Sequence, residues 1–478
     1  MSNADRPRPL WPFLVALGVA VLVLSIVAGL LIRPYLGFPV SGPDGGDGVG
    51  DSYFPTAGGG GYDARDYRID LSYDESTRGL AGSTTMTAVA TRDLASLHLD
   101  LDLAVTRAEI DGRKVAFVQT GRDVHVRGTR LLAAGEQFTV RIEYAGQPGA
   151  ISKGDVLMKE REVVIANEPF AAPYWFPSND HPSDPATMEL TMRVPADLQA
   201  LSSGSLISRD IADEPDFDTW HWRSDEPMAT YLNFLAIGPY DIEEGRAGGR
   251  SALYAVSRQL PDRRRERAMT ALRTTPQLVA ELEEIWGPYP FTEIGGVVPS
   301  TSFDWGALEN QPRPVYHAGA LLADSQRLIV HEYAHMWFGN NVTLAEWNDI
   351  VMNESYASYS EWLVAERVGQ GSADDVMQRF YDRLPDSTWE TPIDDPGPDA
   401  MFDNVYTRGP MALHALRNLM GDEAFFTLSR EWANEPGSRS LEDWQDRARR
   451  HSSVDLEHYF DVWFSATEKP EKTPENGF

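Results

Sequence analysis

From Asp66 onward the chain alternates apolar and polar residues. Tyr67, Ile69, Leu71 and Tyr73 fall on one side of an extended segment, and Leu97, Leu99, Leu101 and Leu103 repeat the pattern. A period of two marks strands with one buried face. Asp111-Gly112 is a two-residue hairpin signal, and Phe138, Val140, Ile142 and Tyr144 alternate again. Together these segments predict an antiparallel β domain over residues 62–242. Beyond it the period lengthens. Residues 261–284, the run before His335, the stretch from Ile350 to Val368 and Pro410 to Met420 read as helices, and Gly295-Gly296-Val297-Val298 reads as a short buried strand. The fold class is α+β, with a mainly helical second domain over 243–465 and a polar tail, 466–478, expected to fray.

The first 61 residues obey neither period. Residues 1–9 are polar and contain Arg6 and Arg8, and the 23 residues from Leu10 to Ile32 carry no charge, which is long enough to cross a bilayer as a helix. The expected reading is an uncleaved transmembrane signal anchor. The arginines hold the amino terminus in the cytoplasm, and the bulk of the chain lies outside. Secretion after signal cleavage is the alternative. Residues 33–61, rich in Gly, Pro and Asp and ending in four glycines, are expected to be a flexible linker.

Composition narrows the chemistry. With no cysteine in the chain, disulfides, thiolate metal sites and cysteine nucleophiles are excluded, so any metal must be held by histidine and carboxylate. A formal charge of −30 argues against nucleic acid as a partner, because a duplex would repel such a surface.

His331 and His335 stand four apart on a predicted helix and therefore share one face. Glu332 points about 100° away, off a metal held by the pair but within reach of a water on it. Glu354, nineteen residues past His335, lies on the next predicted helix. Two imidazoles, one carboxylate and a position left for water form the usual donor set of a hydrolytic zinc centre, here one zinc per chain.

His-Glu-x-x-His, eighteen residues, then Glu resembles the aminopeptidase N family of zinc metallopeptidases. Gly306-Ala307-Leu308-Glu309-Asn310 is similar to that family's exopeptidase motif, with Leu308 at a methionine position. Val405-Tyr406-Thr407-Arg408-Gly409 is similar to the segment carrying its catalytic tyrosine, and Ala166-Asn167-Glu168-Pro169 to a stretch that reaches over the site. The resemblance implies a thermolysin-like catalytic domain, in a short form without the family's large helical C-terminal domain. It implies Tyr406 as the group that steadies the oxyanion and Glu309 with Glu168 as carboxylates that grip a substrate's free amine. Gly306, Ala307 and Leu308 would line that end of the cleft, with Gly306 permitting close backbone approach. Ala166 stands where the family commonly has glutamine.

The expected function is hydrolysis of the N-terminal peptide bond of peptides with a free amine. A zinc endopeptidase on the same core, or a non-catalytic zinc-containing binding protein, are the alternatives.

Overall fold

The computed structural model describes residues 39–149, 156–211, 216–301 and 303–478. The predicted cytoplasmic segment 1–9 and transmembrane helix 10–32 lie outside the described residues, and among those described no helix is long and apolar enough to cross a membrane.

Seven strands follow one another: β1 (Tyr62–Asp74), β2 (Gly79–Ala90), β3 (Leu94–Asp100), β4 (Ala104–Ile110), β5 (Arg113–Thr120), β6 (Asp123–Leu132) and β7 (Gln137–Gly146). With Ala186–Pro195, Ser205–Ile211 and Phe217–Met228 they make a ten-stranded sheet that has β3 at one end. Alternation drives this assembly. Tyr67, Ile69, Leu71 and Tyr73 are all buried, and they join Phe138, Val140, Ile142 and Tyr144 in one core. At the β4–β5 turn Asp111 and Gly112 both have positive φ, 50° and 71°, the handedness a two-residue hairpin loop requires. One pairing departs from the expected antiparallel domain. β1 runs parallel to Ala186–Pro195, because the chain returns to the sheet by a long crossover rather than a hairpin.

One strand crosses the expected domain division. Tyr240–Ala247 pairs with Arg250–Ser257 in a five-stranded sheet that belongs to the second domain, whereas Leu235–Gly238 still pairs within the first. The strand Tyr240–Ala247 thus runs across residue 242, and its backbone hydrogen bonds belong to the five-stranded sheet.

The second domain carries α1 (Asp262–Leu272), α2 (Thr275–Trp286), α3 (Ala318–Ala323), α4 (Ser325–Ala334), α5 (Val351–Arg367), α6 (Ala373–Arg383), α7 (Arg408–Met420), α8 (Asp422–Ala433) and α9 (Leu441–His451). Its five-stranded sheet includes the fully buried Glu293–Val298 and ends on Ala307–Leu308. Trp286, Trp337, Tyr356, Trp444 and Trp463 anchor a separate core among the helices.

Two expectations about the chain's polar segments are overturned. Residues 39–61, read as a flexible linker, form a strap packed on the first domain. Its backbone pairs with β3 through Ala95 N–H to Pro43 O at 2.7 Å and Gly45 N–H to Ser96 O at 3.0 Å. Its glycines serve close approach, since a Cβ on Gly48 would collide with Pro55 O and one on Gly59 with His98 O. The tail from residue 466 is also docked rather than frayed. Phe478 stacks on Trp463 at 5.8 Å, and the Trp463 indole N–H donates to Asn476 O at 3.0 Å.

The strap ties the two domains together at Asp51, which is 2% exposed. Its carboxylate accepts from Tyr53 N–H, Phe54 N–H and Trp347 N–H at 2.7–2.8 Å and pairs with His181 Nε2 at 2.9 Å. Burial works to raise this acid, but His181 and the three amides outweigh it and hold it at about 2. A pKa depressed below its unfolded value of 3.8 contributes stability above pH 4 and loses it as pH falls towards 2. Asp51→Asn is therefore expected to cost about 2–3 kcal/mol at neutral pH, from hydrogen bonds lost by a charged group. Paired urea titrations at falling pH check this, and the gap between the two proteins should close between pH 4 and pH 2.

Candidate metal centre and cleft

α4 begins at an Asp324 cap, whose side chain accepts from Arg327 N–H at 3.3 Å, and ends with His335 at its C-cap. It has no Gly or Pro, so its turns stay regular and His331 and His335 share a face. Opposite them, a capping box of Glu346 and Asp349 starts the 3-10 turn Trp347–Ile350, which runs directly into α5. That start sets Glu354 in the first turn of α5, facing the histidines.

Glu354 Oε2 lies 3.2 Å from His331 Nε2 and 3.5 Å from His335 Nε2. Two donors on bonds of 2.0–2.1 Å to one tetrahedral ion stand about 3.3 Å apart, so the set fits zinc without rearrangement. The other imidazole nitrogens are engaged. His335 Nδ1–H donates to Phe338 O at 3.1 Å, and His331 Nδ1–H donates to Glu361 Oε1 at 2.9 Å, which leaves both Nε2 lone pairs aimed at one point. Burial lowers His335, yet Glu354 and Glu309 outweigh it and lift it to about 9. The point thus favours positive charge strongly, and a bound divalent cation takes the place of those protons.

Glu332 is 3% exposed and offers an oxygen within 4.8 Å of His335 and Glu309 donor atoms. Burial drives its carboxyl up to about 8, against the opposing pull of His331 and His335, close to where a general base works best at neutral pH.

At one end of the same cleft, Ala307–Leu308 forms the edge of the five-stranded sheet, antiparallel to Val315–Tyr316. Asn310 donates to Leu232 O at 3.1 Å and Asn340 donates to Glu309 O at 2.9 Å, pinning the segment. Glu309 and Glu168 each bury an oxygen that has no hydrogen-bond partner. Burial pushes Glu168 well above the usual carboxylate range, with Glu309 adding to it, and burial raises Glu309 despite His335. Two acids that each keep a buried oxygen unpaired are costly unless a cation joins them.

Tyr406 lies two residues before α7, opens onto the cleft at 39% exposure, and holds its ring 6.0 Å from that of His331. Desolvation inside the cleft and the charges of Glu354 and Glu168 push its phenol well up, so it keeps a proton to donate. The cleft encloses about 560 Å³, lined by Glu168, Gly306, Ala307, Leu308, Glu309, His331, Glu332, His335, Glu354 and Tyr406. All ten candidate residues converge on it.

Sequence reasoning missed several of its walls. Glu361 carried a signal, because it stands seven residues after Glu354 and so two turns along the same face of α5. Trp305, Phe380 and Phe402 also line the cleft, and Tyr231 packs close enough to Glu309 to raise its own phenol, after burial itself. Phe380 and Tyr231 come from distant segments and had no signal. Ala166 is fully buried and does not line the cleft.

Residues 63–232 match the Peptidase M1 N-terminal domain and residues 270–463 the Peptidase family M1 domain. Human endoplasmic reticulum aminopeptidase 1 is 29% identical over 62% of this chain and 34% of its own length. Leukotriene A-4 hydrolase of Xenopus laevis is 25% identical over 76% of this chain and 64% of its own. The chain thus spans between a third and two thirds of these curated relatives. Among solved structures, a mutant M1 zinc metallopeptidase from Deinococcus radiodurans bound to a Tyr-Ser-Ala substrate is 28% identical, with a TM-score of 0.80 over 90% of this chain and 100% of that one. A two-domain M1 zinc metallopeptidase mutant bound to L-tryptophan is likewise 28% identical, with a TM-score of 0.78 over 89% and 99%. Matched in order by both domains, and carrying the histidine and glutamate donors of a zinc centre in the second, the chain belongs to peptidase family M1.

Proposed function

We propose that the chain is a zinc aminopeptidase that hydrolyses the first peptide bond of peptides bearing a free amine. The observation that carries this reading is that Glu309, which is buried, and Glu168, which is half-buried, each keep a buried oxygen without a hydrogen-bond partner, at the end of a cleft whose middle holds the metal-ligand set. A substrate ammonium placed between them places the first carbonyl over that set, which turns a general peptidase into one that trims from the amino end.

His331, His335 and Glu354 would hold zinc, which when bound lowers the pKa of a water to about 7 and polarises a carbonyl. Glu332 accepts the proton of the attacking water on a carboxylate oxygen and delivers it to the leaving amine nitrogen. Tyr406 donates its phenolic O–H to the oxygen that becomes negative, a contact strongest in the transition state. The edge strand Ala307–Leu308 offers main-chain groups to an extended substrate. The Tyr-Ser-Ala complex of the Deinococcus relative supports peptides as the substrate class.

The direct test is a panel of aminoacyl fluorogenic substrates. Hydrolysis should vanish with a strong chelator and return with added zinc. Activity that persists after the metal has been stripped would refute the reading.

An endopeptidase is less well supported, since it has no use for Glu309 and Glu168. The apolar stretch from Leu10 to Ile32 supports attachment to the cell membrane by one span, with the catalytic domain outside the cytoplasm. Recovery of the full chain in the salt-washed soluble fraction would count against that placement.

A further inference from the structure

We propose that Tyr231 is a positioning residue of the amine-binding end of the cleft, holding Glu309 so that its carboxylate meets the substrate's ammonium. The inference deepens the aminopeptidase reading and rests on it. Tyr231 stands in the 3-10 turn Thr230–Leu232, just after the strand Phe217–Met228, and is 1% exposed. It does not line the cleft, so it acts from behind Glu309.

Three observations define the contact. The first is the seam between the two segments. Asn310, the residue after Glu309, donates its side-chain amide to Leu232 O at 3.1 Å, and the Gln311 amide donates to the same oxygen at 3.3 Å. Leu232 follows Tyr231, so hydrogen bonds between chain neighbours set the tyrosine and the glutamate side by side. The second is the fixing of the turn and ring. The Thr230 hydroxyl donates to Asp180 Oδ1 at 2.6 Å, and the Tyr231 ring meets Trp347 edge-on, with centroids 5.3 Å apart and planes at 61°. Trp347 is itself anchored, since its amide donates to Asp51 of the strap.

The third is an unmet pair of polar atoms. The Tyr231 hydroxyl and Glu309 Oε1 are both buried, and neither completes a hydrogen bond. A buried donor and a buried acceptor each cost free energy while unpaired, so one closed contact satisfies both. Burial, and after it the charges of Glu309, Glu168 and Glu354, push the phenol well up, so it stays an O–H donor. Burial also raises Glu309, and the Tyr231 hydroxyl is one of the groups that draw it back towards its charged form. A donor beside a carboxylate favours the anion, and the anion is the form that binds an ammonium. Contacts of this kind tighten when substrate arrives.

The test uses the full chain loaded with zinc and a matched pair of peptides, one with a free amine and one N-acetylated. Tyr231→Phe keeps the ring and removes only the hydroxyl. It should lower kcat/KM for the free peptide by roughly 10- to 100-fold, the weight of a hydrogen bond to a charged group, with most of the loss in KM. The ratio of free to acetylated cleavage should fall by the same factor, while zinc content and melting temperature match the parent. A tyrosine that only shapes the fold would instead shift the melting temperature and slow both peptides alike. In the Glu309→Gln background the same substitution should change nothing further, since it acts through Glu309. An equal loss in both backgrounds overturns the role. A parent that prefers free amines, matched by Tyr231→Phe, removes Tyr231 and leaves the aminopeptidase reading standing. A parent that cleaves both peptides equally removes that reading and this inference with it.

Discussion

Glutamine in place of Glu332 is expected to lower kcat by roughly 10²- to 10⁴-fold, the usual weight of a general acid–base group. That is about 3–5 kcal/mol of barrier. The substitution separates chemistry from structure unusually well. An amide of the same volume opens no cavity and adds no bulk, so the melting temperature should stay close to that of the parent. The ligand trio of His331, His335 and Glu354 does not include it, so metal content at that centre should not change. Turnover measured beside zinc content tells a lost proton carrier from a lost metal. Full activity in Glu332→Gln would mean that the acid moves no proton, and the mechanism built on it would fall.

The second large effect concerns recognition of the amine. Glu309→Gln is expected to reduce kcat/KM for free-amine peptides by roughly 10²- to 10³-fold, the cost of removing one partner of a buried charge pair. N-acetylated peptides, which carry no ammonium, should be poor substrates for the parent and no worse for the variant. The informative quantity is therefore the ratio of free to acetylated cleavage. It should collapse in Glu309→Gln and fall less in Glu168→Gln, because Glu309 lies nearer the Asn340 and Asn310 contacts that fix the edge strand. If the ratio stays at the parental value in both variants, neither acid holds the amine.

How far the site could be foreseen depended on where its residues lie along the chain. The metal donors were legible because all three come from two successive helices, where helical geometry converts spacing into direction. Glu309, Glu168 and Tyr406 come from a strand edge and two loops. Nothing in their local pattern distinguishes them from ordinary surface residues, and the family likeness alone pointed to them. Glu361 had a positional signal that lay unused, while Tyr231 and Phe380 enter through tertiary packing and had none.

The fold shows the same contrast. Alternation foretold β1 and β7 because burial on one face leaves a period in the sequence, but pairing order leaves no such mark, so the parallel neighbour of β1 was invisible. The strap was misread for a different reason. Glycine suits both a loose chain and one pressed against a neighbouring backbone, and only the contact partners distinguish the two. For Gly59 that partner is His98, far along the chain.

The strap's position on β3 bears on how the protein should be produced. An exposed terminal strand presents unpaired amides and carbonyls that recruit a strand from another molecule. Shortening the protein to Tyr62, which its glycine-rich composition invites, would strip that cover from β3 and cut away Asp51 from between the domains. A recombinant version begun at or before Pro39 keeps the border sealed, whereas one begun at Tyr62 invites clumping through the bared strand.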